Sequence, residues 1–423
     1  MTKKKDLFVW GMMVLFLSAP LYMDYVPASE HLAVYYMETP GIRGLFPQIP
    51  GWLLRIGFSM SASAKLTILL MNILACTTSW FCFQKLSPQQ DNAAVGAMAG
   101  SICYVFSIYS VYIRYYAASI GEMAAYGILP VILYGFIMIY KEDTKKARLG
   151  GLGCLLTGLT LLFYAHIPMA LIVWAMVFLG CLLMGKESFS GGRLIPVAGA
   201  QVGALLLGLP ILWPYVQEIQ KGTFYINDGL LFSDRGLEIA ELFRTVTGRV
   251  TNEDPGTFSM AVGLPLILVI PTLCFLLNAV KEHGVCISTK RKKGIFAGML
   301  LAGLCMLLSL RIFPWALLEN LHGAVRTGLQ HIGYPHRFLM VAVLLLCAGV
   351  VLLYEKGTGL LIGKYPEYQV LIRGVGLSVI IAINLFTGIY FMNNLVYTTP
   401  LDGTFQIRDS LWVESEFLLY ISK

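Results

Sequence analysis

The sequence predicts an all-α, polytopic membrane protein with about eleven transmembrane helices, and three observations carry that reading. Of its 423 residues 57% are hydrophobic and only 13% charged, whereas a soluble domain needs roughly a quarter charged. Apolar runs recur along nearly the whole chain, each close to the ~20 residues a helix needs to cross the hydrocarbon core. Lys and Arg gather in alternate connections, as the positive-inside rule requires. Backbone groups in lipid must be satisfied within the segment, and these runs are too long and too continuously apolar for barrel strands, so the spans are read as helices.

The elements follow in order. Lys3, Lys4 and Lys5 lead into an apolar run from Leu7. The pattern looks like a secretory signal, but Ser18-Ala-Pro is a poor cleavage site and further runs follow, so Leu7–Tyr22 is expected to be an uncleaved first helix. Later spans are expected at Ala64–Phe83, Ala94–Ile113, Met123–Tyr140, Leu149–Tyr164, Met169–Gly185, Leu194–Leu212, Met260–Val280, Gly294–Leu310, Phe338–Tyr354 and Gly374–Phe391. With Lys3–Lys5 in the cytosol, the short inside connections hold more than half of the 31 Lys and Arg residues. A turn at Ala165-His-Ile-Pro168 is needed to keep the Lys290–Lys293 cluster inside. The N-terminus is thus expected in the cytoplasm and the C-terminus outside the cell membrane.

Residues 1–391 read as one transmembrane domain, with long outer loops at 23–63, 213–259 and 311–337, and 392–423 as a short extracytoplasmic tail. Two amphipathic helices are expected in the outer loops. Pro27–Met37 sets His31 and Tyr35 on one side, in line with Glu38. Gly236–Gly248 carries a stripe of Ile239, Leu242, Phe243 and Val246, with Asp234 as its N-cap. The nine cysteines show no metal-ligand spacing; eight fall in apolar runs, where they read as small buried residues. Net charge is +7, but no basic domain stands out, so no nucleic-acid partner is expected.

Candidate chemistry collects on the outer side. Five histidines (His31, His166, His322, His331 and His336) fall there or at its membrane boundary. Asp24 directly follows the first helix. It is placed to act as a general base, or to hold a divalent cation, Mg or Mn, together with His31 and Glu38; the structural alternative is that it favours the positive end of the next helix. Glu30 adjoins His31. Glu122 fits a capping box with Ser119. Arg114 lies among tyrosines at the expected outer interface, where it could grip a lipid phosphate or snorkel to ordinary headgroups. His166 sits in the tight turn. Pro335-His336-Arg337 opens the tenth span, and a helix N-terminus with two basic side chains suits a phosphate.

At these residues the sequence resembles a known family. Asp24 with Glu30-His31, Gly121-Glu122 with Pro130, His166, and Tyr334-Pro-His-Arg337-Phe occur in the order seen in certain bacterial and archaeal polytopic proteins. These carry the label "6-pyruvoyl-tetrahydropterin synthase-related membrane domain", and with the related YfhO-like proteins they are grouped with the GT-C glycosyltransferases. The resemblance covers most of the chain up to Tyr354. It implies a GT-C-like fold and transfer of a sugar from a polyprenyl-phosphate-linked donor to an extracytoplasmic glycan or protein acceptor. Asp24 would be the catalytic base, with Glu30 and His31 beside it. Arg114, Glu122, His166, His336 and Arg337 would face substrate, and apolar grooves between helices would hold the prenyl chain. The pterin label would imply a soluble zinc enzyme, and no His triad is present to support one. The chain departs from the family in three ways. His336 stands where an aromatic is commoner, the carboxyl-terminal soluble domain is nearly absent, and no Asp-Asp or Asp-x-Asp pair occurs in the first outer loop. No cofactor is required by this reading; membrane lipid is the other expected partner. The alternatives are a lipid-linked glycan polymerase or flippase, and a non-catalytic scaffold with the same fold. A flippase would need ionisable groups at mid-membrane, where the spans offer little beyond Asn72 and Gln201.

Overall fold

A computed structural model describes residues 3–22, 44–86, 93–141, 144–189, 192–220, 231–244, 260–282 and 289–398. Among these the architecture is all-helical, apart from one isolated bridge between Leu237 and Leu310. Eleven helices have thirteen residues or more. They are α1 (Lys3–Leu17), α2 (Met60–Leu86), α3 (Ala93–Val105), α4 (Ile120–Lys141), α5 (Lys145–Ala165), α6 (Ile167–Met184), α7 (Leu194–Gln220), α8 (Val269–Glu282), α9 (Thr289–Leu308), α10 (Phe338–Lys364) and α11 (Gln369–Thr398).

Each predicted span therefore has a helix on it. Seven described helices are long and apolar enough to cross a membrane, or eight if a bent pair counts as one span. The expectation of eleven crossings exceeds that number for physical reasons. The apolar part of α1 is only Leu7–Leu17, about 16 Å of helix, roughly half the hydrocarbon thickness. The apolar stretch around α8 is Leu264–Leu277. In α9 the first turn is Thr-Lys-Arg-Lys-Lys, so the apolar part starts late. The third span also departs from expectation. It is not one straight helix but a pair, Ala94–Val105 and Ile108–Tyr115, bent by 54°. Ser107 causes the restart: its side chain accepts the Ser110 N–H at 3.2 Å, an N-cap in mid-span.

The core is built around α10, which is buried over most of its length and packs against α3, α8, α9 and α11. On the other side α4 lies between α2 and α5, and α7 covers α5. Helices α4 and α5 meet at glycines: a Cβ on Gly135 would sit 2.6 Å from the Leu155 nitrogen and 2.8 Å from the Gly151 oxygen. Only small residues allow backbones that close, a device suited to helix pairs in lipid. The outward faces of α7 and α11 expose Ile195, Leu206, Trp213, Val370 and Phe386, as a lipid-facing surface should. Eight described cysteines are free thiols, and most are buried.

Helix in the outer loops is distributed differently from the sequence pattern, which did not predict Ile49–Arg55, Trp315–Leu321 or Gly323–Ile332. Pro27–Met37 lies outside the described residues. In the second loop the described helix is only Ile239–Phe243, and its N-cap is Glu238, not Asp234. Asp234 instead accepts the Leu231 N–H at 3.2 Å and closes a separate turn, Phe232–Arg235. Gly236 and Leu237 run extended between the two because Leu237 bonds to the end of α9, through Ser309 O and Arg311 N, both at 2.9 Å. The eleventh helix runs past the predicted domain end at 391, to Thr398.

Candidate functional site

The site is assembled at the end of the bundle where α4 and α10 begin and α5 turns into α6. Gly121 makes the approach possible. A Cβ there would lie 2.8 Å from the Ala165 oxygen and 3.1 Å from His166 Cδ2. With only hydrogen at that position, the first turn of α4 presses against the α5–α6 turn and brings Glu122 to His166.

His166 occupies the single extended residue between α5 and α6. Its Nδ1 accepts the Met169 N–H at 3.2 Å, so the ring caps α6. Capping through Nδ1 requires a lone pair there, which leaves the neutral ring's proton on Nε2. That nitrogen faces Glu122, 3.9 Å from Oε1. The separation is wider than a hydrogen bond but short enough for strong electrostatic coupling in a site that excludes water.

From the far side comes Arg337. Gly333 adopts a left-handed φ of 83°, a conformation that disfavours any side chain, and turns the chain into Pro335–Arg337, a single helical turn feeding α10. Arg337 Nε donates to Glu122 Oε1 at 2.8 Å, and Nη1 donates to the Ile332 carbonyl. The two charged side chains are 2% and 3% exposed. Glu122, read from the sequence as the N3 residue of a capping box, carries a guanidinium on its Oε1. His336, also buried, lies against the Tyr334 ring at 5.1 Å between centroids.

Tyr334 joins a residue that the sequence reading did not single out. Arg235, from the second outer loop, stacks on the Tyr334 ring at 5.4 Å, and Arg337 lies at the same distance from that ring. Arg235 Nη1 also donates to the Gly333 carbonyl at 3.1 Å. One aromatic ring thus organises two guanidiniums. No local motif marks Arg235, one of three Arg residues in its loop; the available signal was the acidic turn residue Asp234 beside it. Glu319, also unmarked, is buried and ties the loops together, accepting from Phe232 N at 2.7 Å and Ser233 Oγ at 3.0 Å.

Other candidates lie elsewhere. Arg114 was expected at the outer interface, yet it is completely buried. It sits in a π-helical turn, Tyr112–Tyr116, after the break in the third span. Its Nε donates at 2.8 Å to Asn72, midway along α2, its Nη1 bonds to Ser110, and its guanidinium lies 5.1 Å from the Tyr126 ring centre. Asn72 in turn reaches Ser18 at 3.0 Å, which links the knot to the end of α1. The correction is one of depth: the bend carries Arg114 into the bundle. Asp24, Glu30 and His31 lie outside the described residues, as does Glu38. Among the described residues no group of three His, Cys, Asp or Glu side chains could hold a metal ion.

Glu122, His166 and Arg337 are therefore brought together, with His336 and Arg235 adjoining through Tyr334. Such a cluster can offer an anion two guanidiniums and the His166 Nε2–H donor.

No family model matches the chain, and no curated protein matches it. Among solved structures it is similar to the crystal structure of ArnT from Cupriavidus metallidurans bound to undecaprenyl phosphate. The alignment has 12% sequence identity and a TM-score of 0.47, and covers 95% of this chain and 76% of that one.

Proposed function

We propose that this chain is an integral-membrane glycosyltransferase of GT-C type, transferring a sugar from a polyprenyl-phosphate-linked donor to an acceptor on the extracytoplasmic face. The observation that carries the reading is the convergence of Glu122, His166 and Arg337 from three separate elements at one end of the bundle. Arg337 and Arg235, organised by Tyr334, hold the donor phosphate and stabilise the charge that develops as the glycosyl bond breaks. Glu122 positions Arg337, and His166 presents its Nε2–H as a hydrogen-bond donor beside them. Asp24 deprotonates the acceptor hydroxyl, after the family resemblance, and a divalent cation, if used, is held in the same first outer loop.

The test uses full-length protein reconstituted in liposomes with an undecaprenyl-phosphate-linked sugar, with and without chelator. Transfer by wild type, with Arg337→Gln and Asp24→Asn each reduced by at least about a hundredfold, supports the roles; losing a charge-stabilising donor typically costs that much. Wild-type turnover by Asp24→Asn removes the base assignment.

A second reading is favoured by one specific observation. Glu122 and Arg337 are both almost fully covered and neutralise each other, which is also what a non-catalytic scaffold would need to lock its helices. That reading requires no turnover by any form, and no binding of undecaprenyl phosphate that depends on Arg337.

A further inference from the structure

A cavity of about 510 Å³ lies between α4, α6, α9 and α10 and runs from Leu129 and Val341 to Lys141 and Glu187, within the ~300–1,000 Å³ typical of ligand pockets. Its wall is apolar, with Leu129, Phe136, Val177, Met299 and Leu345 representative. Polar groups appear only where these helices end, at Tyr140, Lys141 and Glu187. Lys141 lies nineteen residues along α4 from Glu122, which is about 28 Å at 1.5 Å per residue. The mouth is therefore at the other membrane boundary from the Glu122–Arg337 pair.

Two features say what fits. First, the wall is deliberately thin on α9. Gly294 and Gly298 both line the cavity, and a Cβ added to either would meet nothing within 4 Å. These glycines are not needed for helix packing; what they provide is room. Second, the mouth is basic. Lys141 is exposed and donates to the Lys85 carbonyl at 2.9 Å, Leu86 beside it lines the cavity, and Lys292 and Lys293 immediately precede Gly294. Among the lining residues the one acid is Glu187, which pairs with Arg193 at 3.4 Å. A cation-rich rim over an apolar slot complements a phosphate attached to a hydrocarbon chain.

We infer that this cavity takes an acyl chain of an anionic phospholipid drawn from the leaflet at the Lys141 end, with its phosphate among Lys141, Lys292 and Lys293. The phosphate position, at the Lys141 end, is about 28 Å along α4 from Glu122, and the inference does not rest on the proposed function.

The experiment is native mass spectrometry of delipidated full-length protein titrated with phosphatidylglycerol, phosphatidylcholine or undecaprenyl phosphate. Gly298→Leu puts a side chain into the slot without a backbone clash. It should weaken phosphatidylglycerol binding at least about tenfold, the effect of excluding two methylenes of buried chain. Gly303→Leu, also in open space but outside the lining, should leave binding unchanged. Lys141→Gln should narrow the preference for phosphatidylglycerol over phosphatidylcholine. If Gly298→Leu loses its thermal transition, Gly294→Leu takes its place with the same expectation. Undiminished binding in a folded cavity-filled variant overturns the inference. So does equal affinity for the two phospholipids, or stronger Gly298-sensitive binding of undecaprenyl phosphate, which would make the slot a prenyl site.

Discussion

Replacing Glu122 by Gln removes the carboxylate that meets Arg337 Nε at 2.8 Å and leaves a guanidinium only 3% exposed without its charge partner. The Coulomb attraction at that separation is about 6 kcal/mol at an effective dielectric of 20, and desolvation of both groups offsets much of it. Stranding one member of such a buried pair costs about 3–5 kcal/mol. Gln keeps an oxygen that can still accept from Arg337, so Glu122→Gln should fall near the lower limit. Arg337→Met leaves a bare carboxylate and should fall near the upper. The double variant removes both charges and should recover most of the loss, because two neutral side chains in a covered site incur little desolvation. The measurement is a thermal unfolding midpoint for all four proteins in one detergent at one heating rate, since membrane proteins often unfold irreversibly. A double-variant loss equal to the sum of the two single losses would refute the claim that these residues act as a pair.

Three further outcomes are expected. Gly121→Ala drives a methyl toward the Ala165 oxygen and His166, and should destabilise by roughly 1–3 kcal/mol as an overpacked contact, read by the same thermal midpoint. Ala118 holds a left-handed φ of 46° just before α4, so Ala118→Gly should raise the midpoint, relieving about 1 kcal/mol of backbone strain. His331, in the outer-loop helix Gly323–Ile332, has its pKa pushed below 6.5 by burial, and Tyr215 OH lies 3.4 Å from its Nδ1. The fold favours the neutral ring, so its contribution is complete above pH 6.5 and is lost as pH falls below that value. Wild type should therefore show a falling midpoint between pH 7.5 and 5 that is shallower in His331→Gln; identical slopes would remove His331 as a cause.

The helices were readable because hydropathy reports what lipid demands of each segment independently of its neighbours. The turn at His166 was readable too, because Pro168 and the charge tally both required it. The bend in the third span was not, since Cys103-Tyr-Val-Phe-Ser-Ile-Tyr-Ser-Val contains neither Pro nor Gly and is apolar enough to run straight. What breaks it is one serine hydroxyl competing for the backbone. The same break explains the misjudged depth of Arg114: counted along a straight helix it reaches the interface, while along the bent one it reaches Asn72. Glu122 and Arg337 were each singled out for local reasons. Their contact spans 215 positions, and nothing in either local pattern encodes the other.

Charge placement connects the fold to the proposed chemistry. Two guanidiniums each lie 5.4 Å from the centre of one tyrosine ring, which attracts both through its quadrupole. Glu122 balances Arg337 directly. Arg235, half-buried, donates to the Gly333 carbonyl and lies over the ring face. Relative to a helix lock that needed one ion pair, the cluster brings a second guanidinium to the same ring, beside the start of α10, where backbone N–H groups favour an anion. A structural pair needs Glu122 and Arg337 only. On the proposed function, the second guanidinium on the same ring serves the donor phosphate.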